Sequence, residues 1–515
     1  MVGAGKKIKQ EKSQIKLGAI LSYLSIALNV LAGFLYTPWM IEQIGDIDYG
    51  LYTLASSLIS LLLIDFGLGG AASRFVSKFV AEGRLDKANA FLGAIYKLYL
   101  FLDAVICLAF LTIFFFLEQI YVSLSPEELQ KLEVVYCIVA SYAVFSFPFV
   151  TLNGMLTAYE RFVHLKLADI INRIFTVGLT VVALLAGMGL YALVATHAIS
   201  GLITITYKYI AVRRTTPLRV SFGRTNSAIY KEIFAFSIWG AVAVLAQRLI
   251  LNITPSILGV VSSSKEIAVF GIVAQIEAYS YILTTAINGM FLPRISRIYA
   301  HDPQGNLIMP LLTNVGRFQF ALNGLLIVGF GMLGGNFLRL WVGENFGNAY
   351  WGILLVILPG LFFNPLQIAN TAMIVQNKVR EQACIEVVCG IVNITISWIL
   401  SKHYGAIGAS FSVFVAYSIR AVLYHIVIHK SLHINIGLFV KKCYWKMLPS
   451  ILVTLIVGVC INCLIDDAGW MIFCVKGAIL ATTYGVTTFA LGLTREERNV
   501  LKGRLFAKKF KTDSK

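Results

Sequence analysis

The chain has 515 residues, is 58% hydrophobic and only 13% charged, and carries a formal net charge of +17. A soluble chain of this length would divide into domains that each need a charged surface, whereas here charge is missing from long runs and crowded into short segments between them. That excludes a soluble protein in favour of an integral membrane one. The basic excess then reads as topology and contact with anionic lipid, not as nucleic-acid binding.

The apolar runs are about 20 to 29 residues long, enough for a helix rising about 1.5 Å per residue to cross a hydrocarbon core of about 30 Å. They predict an all-α membrane protein of about fourteen spans, at 17–41, 48–72, 89–117, 131–156, 167–187, 190–212, 232–260, 266–292, 311–334, 350–375, 382–402, 405–429, 443–465 and 470–493. The first follows a lysine-rich tail (Lys6, Lys7, Lys9, Lys12, Lys16) and lacks a small-residue cleavage site after it, the pattern of a retained helix rather than a signal peptide. It closes at Thr37-Pro38, before an acidic turn of Glu42, Asp46 and Asp48. The second opens at Tyr49-Gly50 and ends in Arg74, Lys78, Arg84 and Lys87. An acidic turn on one side and a basic one on the other orient this hairpin with the amino terminus inside. Carried along the chain, the rule places both termini in the cytoplasm, with Lys131, Lys265, Arg339 and Lys402 outside and Arg248, Arg420 and Lys476 within spans.

Ahead of the fourth span, Ser125, Pro126 and Glu128 have the spacing of a helix N-cap, first position and capping box. Later segments echo earlier ones. Pro38 and Pro255 lie 217 residues apart, and the same offset relates Pro148, Asn153 and Arg161 to Pro365, Asn370 and Lys378. Gly189 and Gly405 differ by 216. Residues 1–220 and 226–440 therefore read as two copies of a six-helix lobe. An even number of spans returns the second copy in the same orientation, so a pseudo-twofold along the membrane normal should relate them. Residues 441–493 form an appended pair, helices 13 and 14. Residues 494–515 form a basic tail with a capping box (Thr494, Glu497) and an apolar stripe (Val500, Leu501, Leu505), expected to lie on the headgroups.

Ionisable groups inside spans cost about 2.5–3.5 kcal/mol each on insertion scales, so they usually face a cavity or a partner. Arg248 is the deepest cation. Glu277 lies at nearly the same depth on the next helix, which leaves two readings open, a structural ion pair or a cavity cation whose pairing changes during a cycle. Asp65, Asp103 and Arg420 are further mid-span candidates for a cavity. Arg74 and Arg294 occupy matching places in the two copies, as interfacial anchors or as a cationic mouth. Lys476 should snorkel outward. Pro38, Pro148, Pro255 and Pro365 should end or bend their spans. His425, His429 and His433 share one helix face at a spacing metals can use, but no nearby carboxylate or thiol completes a set, so no metal site is assigned. Cys460 and Cys463 form a C-x-x-C read as helix packing.

The Ile44-Gly45…Tyr49-Gly50-Leu51-Tyr52 run, the Asp65-Phe66-Gly67-Leu68 segment, and Arg74 with Ser77 after it carry a resemblance to a known family. With six plus six plus two spans, the chain resembles the multidrug/oligosaccharidyl-lipid/polysaccharide exporter superfamily, and within it the polysaccharide-exporter branch of Wzx-type O-antigen and repeat-unit flippases. The resemblance implies two six-helix lobes around a central cavity open alternately to each side. It further implies transfer of an undecaprenyl-pyrophosphate-linked sugar repeat unit from the cytoplasmic to the periplasmic leaflet of the bacterial inner membrane. No cofactor is implied. Membrane lipids are expected contacts, and the polymerase and chain-length proteins of such a pathway are partners to test. Arg248 leads the candidates for head-group contact, with Arg420, Arg74 and Arg294 behind it. Peptidoglycan-precursor flippases of the superfamily carry several cations in their first two helices. The first span here has none in its middle, only Asn29. Multidrug antiporters of the superfamily use membrane acids, and Asp65, Asp103 and Glu277 keep that alternative open. A polymerase or ligase would need a large outside loop, which this chain lacks.

Overall fold

The computed structural model describes residues 2–223, 227–285, 288, 291–302, 307–466, 469–494 and 497–498, with the backbone alone at 2–20, 22, 227–229, 231–237 and 293. The Val500, Leu501 and Leu505 stripe lies outside the described residues. Among them the chain is helical, with no strand.

Helix α1 (Val2–Ile44) runs through Pro38 without ending there. Gly45, at φ +84°, makes the turn into α2 (Asp46–Leu62). Asp46 and Asp48 stand in the first turn of α2, where carboxylates meet the positive end of the helix dipole. Asp48 also pairs with Lys131 at 2.9 Å. The expected second span is not one helix. After Leu62 the backbone passes Phe66 (φ +50°) and Gly67 (φ +73°) and resumes as α3 (Leu68–Ala81). The Asp65 carboxylate sits at this break and accepts the N–H groups of Gly67 at 3.0 Å and Gly69 at 3.4 Å, first-turn donors that a helix cannot satisfy itself.

Helices α4 (Leu85–Ile120) and α5 (Pro126–Ser146) follow. The capping box read from Ser125 and Glu128 is present in both halves, with Pro126 in the first turn. Pro148 sits in a 3₁₀ turn (Phe147–Val150) before α6 (Thr151–Ala158). Then come α7 (Phe162–Leu185), α8 (Gly189–Thr215), α9 (Ser227–Leu251), α10 (Thr254–Val261) and α11 (Ser264–Thr285). Pro255 lies in the first turn of α10, where its missing N–H costs nothing. Helices α12 (Leu292–His301), α13 (Ile308–Trp341), α14 (Ala349–Ile357) and α15 (Gly360–Phe363) lead to a further 3₁₀ turn (Asn364–Leu366) that holds Pro365. The chain closes with α16 (Gln367–Val375), α17 (Val379–Leu432), α18 (Ile436–Val440), α19 (Lys446–Leu464) and α20 (Gly469–Thr487).

Among the described residues, 12 helical stretches are long and apolar enough to cross a membrane. The difference from the expected fourteen lies in two places. Broken at Asp65, α2 and α3 have 17 and 14 residues, and neither reaches spanning length alone. Conversely, α17 carries the expected runs 382–402 and 405–429 as one element with a non-helical residue, Gly405 (φ +51°, ψ −132°), inside it. Only glycine accepts this conformation cheaply, and a Cβ here would sit 2.4 Å from Glu266 Oε2. That carboxylate accepts the Ala406 N–H at 2.6 Å, so Glu266 caps the kink.

The chain packs as two compact units, Met1–Ile272 with Gln382–Val413, and Val273–Glu381 with Phe414–Lys515. This division follows packing, a criterion different from the sequence repeat. In the first unit small residues let backbones approach closely. A Cβ on Gly50 would lie 2.1 Å from the Ser264 carbonyl oxygen, and one on Gly154 2.8 Å from Ala72 Cβ. In the second unit α13 packs against α19 and α20 through Leu333, Ile461 and Leu480, flanked by Met332 and Phe473. Leu100, Phe101, Val105, Leu108 and Phe115 of α4 are exposed, as an apolar face that meets lipid must be.

Candidate functional site

The polar interior of the second unit is built around a broken helix. Between α14 and α16 the chain turns at Pro359 and Pro365, and Asn364 falls in the gap. Its side-chain amide donates to Asn323 Oδ1 at 3.0 Å, and Thr284 reaches the same oxygen at 3.4 Å. Asn323 in turn donates to the Gln319 carbonyl at 2.8 Å. Thr284, Gln319, Asn323 and Asn364 are all buried, and each has hydrogen bonds that offset the cost of that burial.

Asn364 also lines a small cavity of about 20 Å³ together with Glu277, Tyr417 and Arg420. Arg420 is only 4% exposed. Its guanidinium lies 4.1 Å from the Phe363 ring centre and 4.0 Å from that of Tyr417, near enough for cation–π attraction on both sides. Glu277 accepts a hydrogen bond from Tyr417 and faces the Arg420 charge. A permanently charged fork and a carboxylate thus converge on a site that is roomy enough for one water. Within this unit, Arg420 and Glu277 are the predicted residues that come together.

In the first unit, Arg248 stands half-buried in the last turn of α9 and faces Asp65. Asn393 ties off the helix end beside it, donating to the Ile250 carbonyl at 2.9 Å and accepting from Ser412 at 2.9 Å. Ser57 donates to the Asn252 carbonyl. Asp65 therefore holds a helix start and meets a cation, so its structural use is visible without a transported ion. Arg248 and Glu277 fall in different units, and the charge facing each within its own unit is Asp65 and Arg420 respectively.

Arg74 is exposed, its guanidinium 5.8 Å from the ring centre of its neighbour Phe75. Arg294 is exposed in the first turn of α12. Asp103 is half-buried on α4, and its Oδ1 has no hydrogen-bond partner among the described residues. His425 Nδ1 lies 2.6 Å from the Ala421 carbonyl and Nε2 3.0 Å from the Tyr444 hydroxyl, while His429 Nδ1 lies 2.8 Å from the Ile434 carbonyl. His433 ends α17 in the left-handed conformation at φ +53°. Lys476 overturns its expectation. It does not snorkel but is 1% exposed, with its Nζ donating to Asn462 Oδ1 of α19 at 3.3 Å, because a polar partner on the neighbouring helix lets the ammonium stay covered by the packing.

Sequence reasoning missed two clusters. Arg173, within α7, donates to the Asn29 carbonyl at 3.2 Å and lies in electrostatic reach of Tyr36, Tyr52 and His197. Tyr52 Oη lies 3.4 Å from His197 Nδ1, and His197 Nε2 has no hydrogen-bond partner among the described residues. Arg173 falls inside a predicted span and could have been found by that alone. The other cluster is Arg317, which also falls inside a predicted span, 311–334, and is 5% exposed and paired with Glu497 at 2.6 Å.

A family model described as "Polysaccharide biosynthesis protein" matches residues 15–299. A protein named "Putative O-antigen transporter" from Shigella flexneri is 23% identical over 394 residues, 75% of this chain and 90% of that protein. Solved structures share the fold, two of them over most of the chain. One, described as lipid II flippase MurJ in an inward closed conformation, superposes with a TM-score of 0.68 at 14% identity, over 93% of this chain and 99% of that one. The other, an inward-facing multidrug resistance MATE family transporter of the MOP superfamily, gives 0.68 at 13% identity, over 81% and 98%.

Proposed function

The chain belongs to the polysaccharide biosynthesis protein family, in the polysaccharide-exporter branch of the multidrug/oligosaccharidyl-lipid/polysaccharide exporter superfamily, and from that premise we propose that it is a flippase. Its substrate in this reading is an undecaprenyl-pyrophosphate-linked oligosaccharide repeat unit, for O-antigen, capsule or exopolysaccharide. The route is from the cytoplasmic to the periplasmic leaflet of the inner membrane, by alternating access between the lobes 1–220 and 226–440. Both termini then lie in the cytoplasm, and polymerase and chain-length proteins act after it.

The observation that carries this reading is Arg420, a buried cation fixed over two aromatic faces at the edge of a polar cavity. Arginine stays charged and presents a planar fork that matches phosphate oxygens. Buried cations in a membrane protein usually mark a substrate path. Arg248, Arg74 and Arg294 serve in this reading as further contacts for the anionic head group. Potential favours the direction, because about two negative charges moving outward gain about 2.3 kcal/mol each per 100 mV.

Glu277 supports a second reading, a cation-coupled multidrug antiporter, because a carboxylate beside Tyr417 and Asn364 in the same cavity could bind and release a cation. Asp65 and Asp103 are its weaker candidates. One experiment separates the two, namely removal of the protein followed by leaflet-resolved analysis of lipid-linked sugars. Accumulation in the cytoplasmic leaflet is expected for the flippase. An unchanged lipid pool with altered cation-dye efflux would select the antiporter.

A further inference from the structure

The first unit contains a second and larger cavity, of about 320 Å³, that the transport reading does not use. This is at the lower end of the range of small-ligand sites. Its walls are apolar and aromatic, with Tyr96, Phe149, Met155, Tyr209 and Phe222 among the lining residues. Its cover is the stretch that leaves α8, residues 216–223. That strap is fastened to α4 at three points. Asn89 accepts the Arg219 N–H through its side chain at 2.8 Å and the Ser221 N–H through its backbone carbonyl at 3.2 Å. Lys97 Nζ donates to the Gly223 carbonyl at 2.9 Å. Between them, Gly93 lets the strap lie on the helix, since a Cβ there would sit 1.8 Å from the Ser221 oxygen.

Two arginines line this cavity. Arg213 donates from Nε to the Tyr209 hydroxyl at 3.0 Å and lies 5.3 Å from that ring's centre. Arg219 donates to its own strap, to the Leu218 carbonyl at 2.7 Å. Both are held in place by neutral groups, and neither is among the ion pairs of the described residues. Two exposed, oriented cations at the rim of a half-open, mostly apolar pocket fit an anion that carries a hydrocarbon chain, and basic pockets between membrane helices bind acidic lipid headgroups. We propose that this strapped pocket binds one anionic phospholipid, its phosphate between Arg213 and Arg219 and the upper part of an acyl chain against Tyr96, Phe149 and Met155.

The test is native mass spectrometry of the purified full chain, stripped of lipid in a non-ionic detergent and titrated with phosphatidylglycerol, phosphatidylcholine or inorganic phosphate. One phosphatidylglycerol should stay bound under activation that removes phosphatidylcholine. The double variant Arg213→Gln/Arg219→Gln should weaken retention by at least about tenfold, the loss expected of charge-assisted hydrogen bonds. Arg214→Gln, exposed and next in sequence but not lining the cavity, should leave it unchanged. Met155→Trp should also abolish binding by filling the space with both arginines intact. If that variant does not fold, the surface arginine variants decide alone. Equal binding of both lipids, equal loss with Arg214→Gln, or binding of inorganic phosphate as tight as that of the lipid would overturn the proposal.

Discussion

Arg317 and Glu497 meet at 2.6 Å, joining the early turns of α13 to the capping-box turn that follows the last helix. Thr494 completes that turn, its backbone N–H donating to Glu497 Oε2 at 2.8 Å and its hydroxyl accepting the Glu497 N–H at 3.3 Å. The sequence predicted the box and assigned the tail to the lipid surface, but one member of the box is held by a buried arginine. Losing one partner of a buried pair leaves the other charge stranded. Glu497→Gln should therefore destabilise the protein by about 1–3 kcal/mol, visible as a lower unfolding midpoint in detergent. Arg317→Met/Glu497→Leu should recover most of it. A Glu497→Gln protein that melts with the parent would show that the pair contributes nothing.

Arg420 is placed by two ring faces as well as by charge. Arg420→Lys keeps the charge but loses the flat surface that stacks on Phe363 and Tyr417. Both Arg420→Lys and Arg420→Gln should insert normally yet reduce repeat-unit export by about tenfold or more, scored as surface polysaccharide in a flippase-null strain. Full complementation by the glutamine variant would remove Arg420 from the transport path.

Lys476 and Asn462 give an asymmetric prediction. Replacing the lysine by methionine removes a buried charge and its desolvation cost, so Lys476→Met should be neutral or stabilising. Asn462→Leu leaves that charge without its amide and should cost about 1–3 kcal/mol. Opposite signs in the two thermal midpoints are the expected result. A Lys476→Met protein that melts earlier would show that the polar contacts of the lysine outweigh its desolvation.

Gly405→Ala should destabilise by about 1–3 kcal/mol because its φ/ψ is a sparsely populated region for any residue with a Cβ, and further because its Cβ would meet Glu266 Oε2 at 2.4 Å. Gly187→Ala, also at positive φ but with nothing within 4 Å of the added carbon, provides the comparison. A larger fall in the midpoint at Gly405 than at Gly187 is the expected result. Equal midpoints would mean that the kink has room to relax.

Helix positions and the membrane class were legible because hydropathy acts over about twenty residues at a time and tolerates local error. The capping box at Ser125 was legible because it is a local pattern of four residues. The break at Asp65 was not. Its sequence is as apolar as a continuous span, and the interruption depends on Phe66 and Gly67 taking positive φ around a carboxylate that caps the next turn. The cavity around Arg420 was legible only as a list of charges. Its partners are ordinary residues, Phe363 and Asn364 brought there by the turn at Pro365 and Tyr417 one helical turn before Arg420 on α17. The reading of Lys476 failed for a related reason, since Asn462 lies on another helix and no spacing reveals it.

The gap at Asp65 also bears on where hydrocarbon can go. Uncoiled backbone at membrane depth persists only against protein or water, so the turn from Leu63 to Gly67 must be shielded from acyl chains. A diazirine carried at the middle of a lipid tail should mark Phe101 and Phe115 and leave Phe66 blank, which would map the greasy perimeter of the first unit without any knowledge of its cargo.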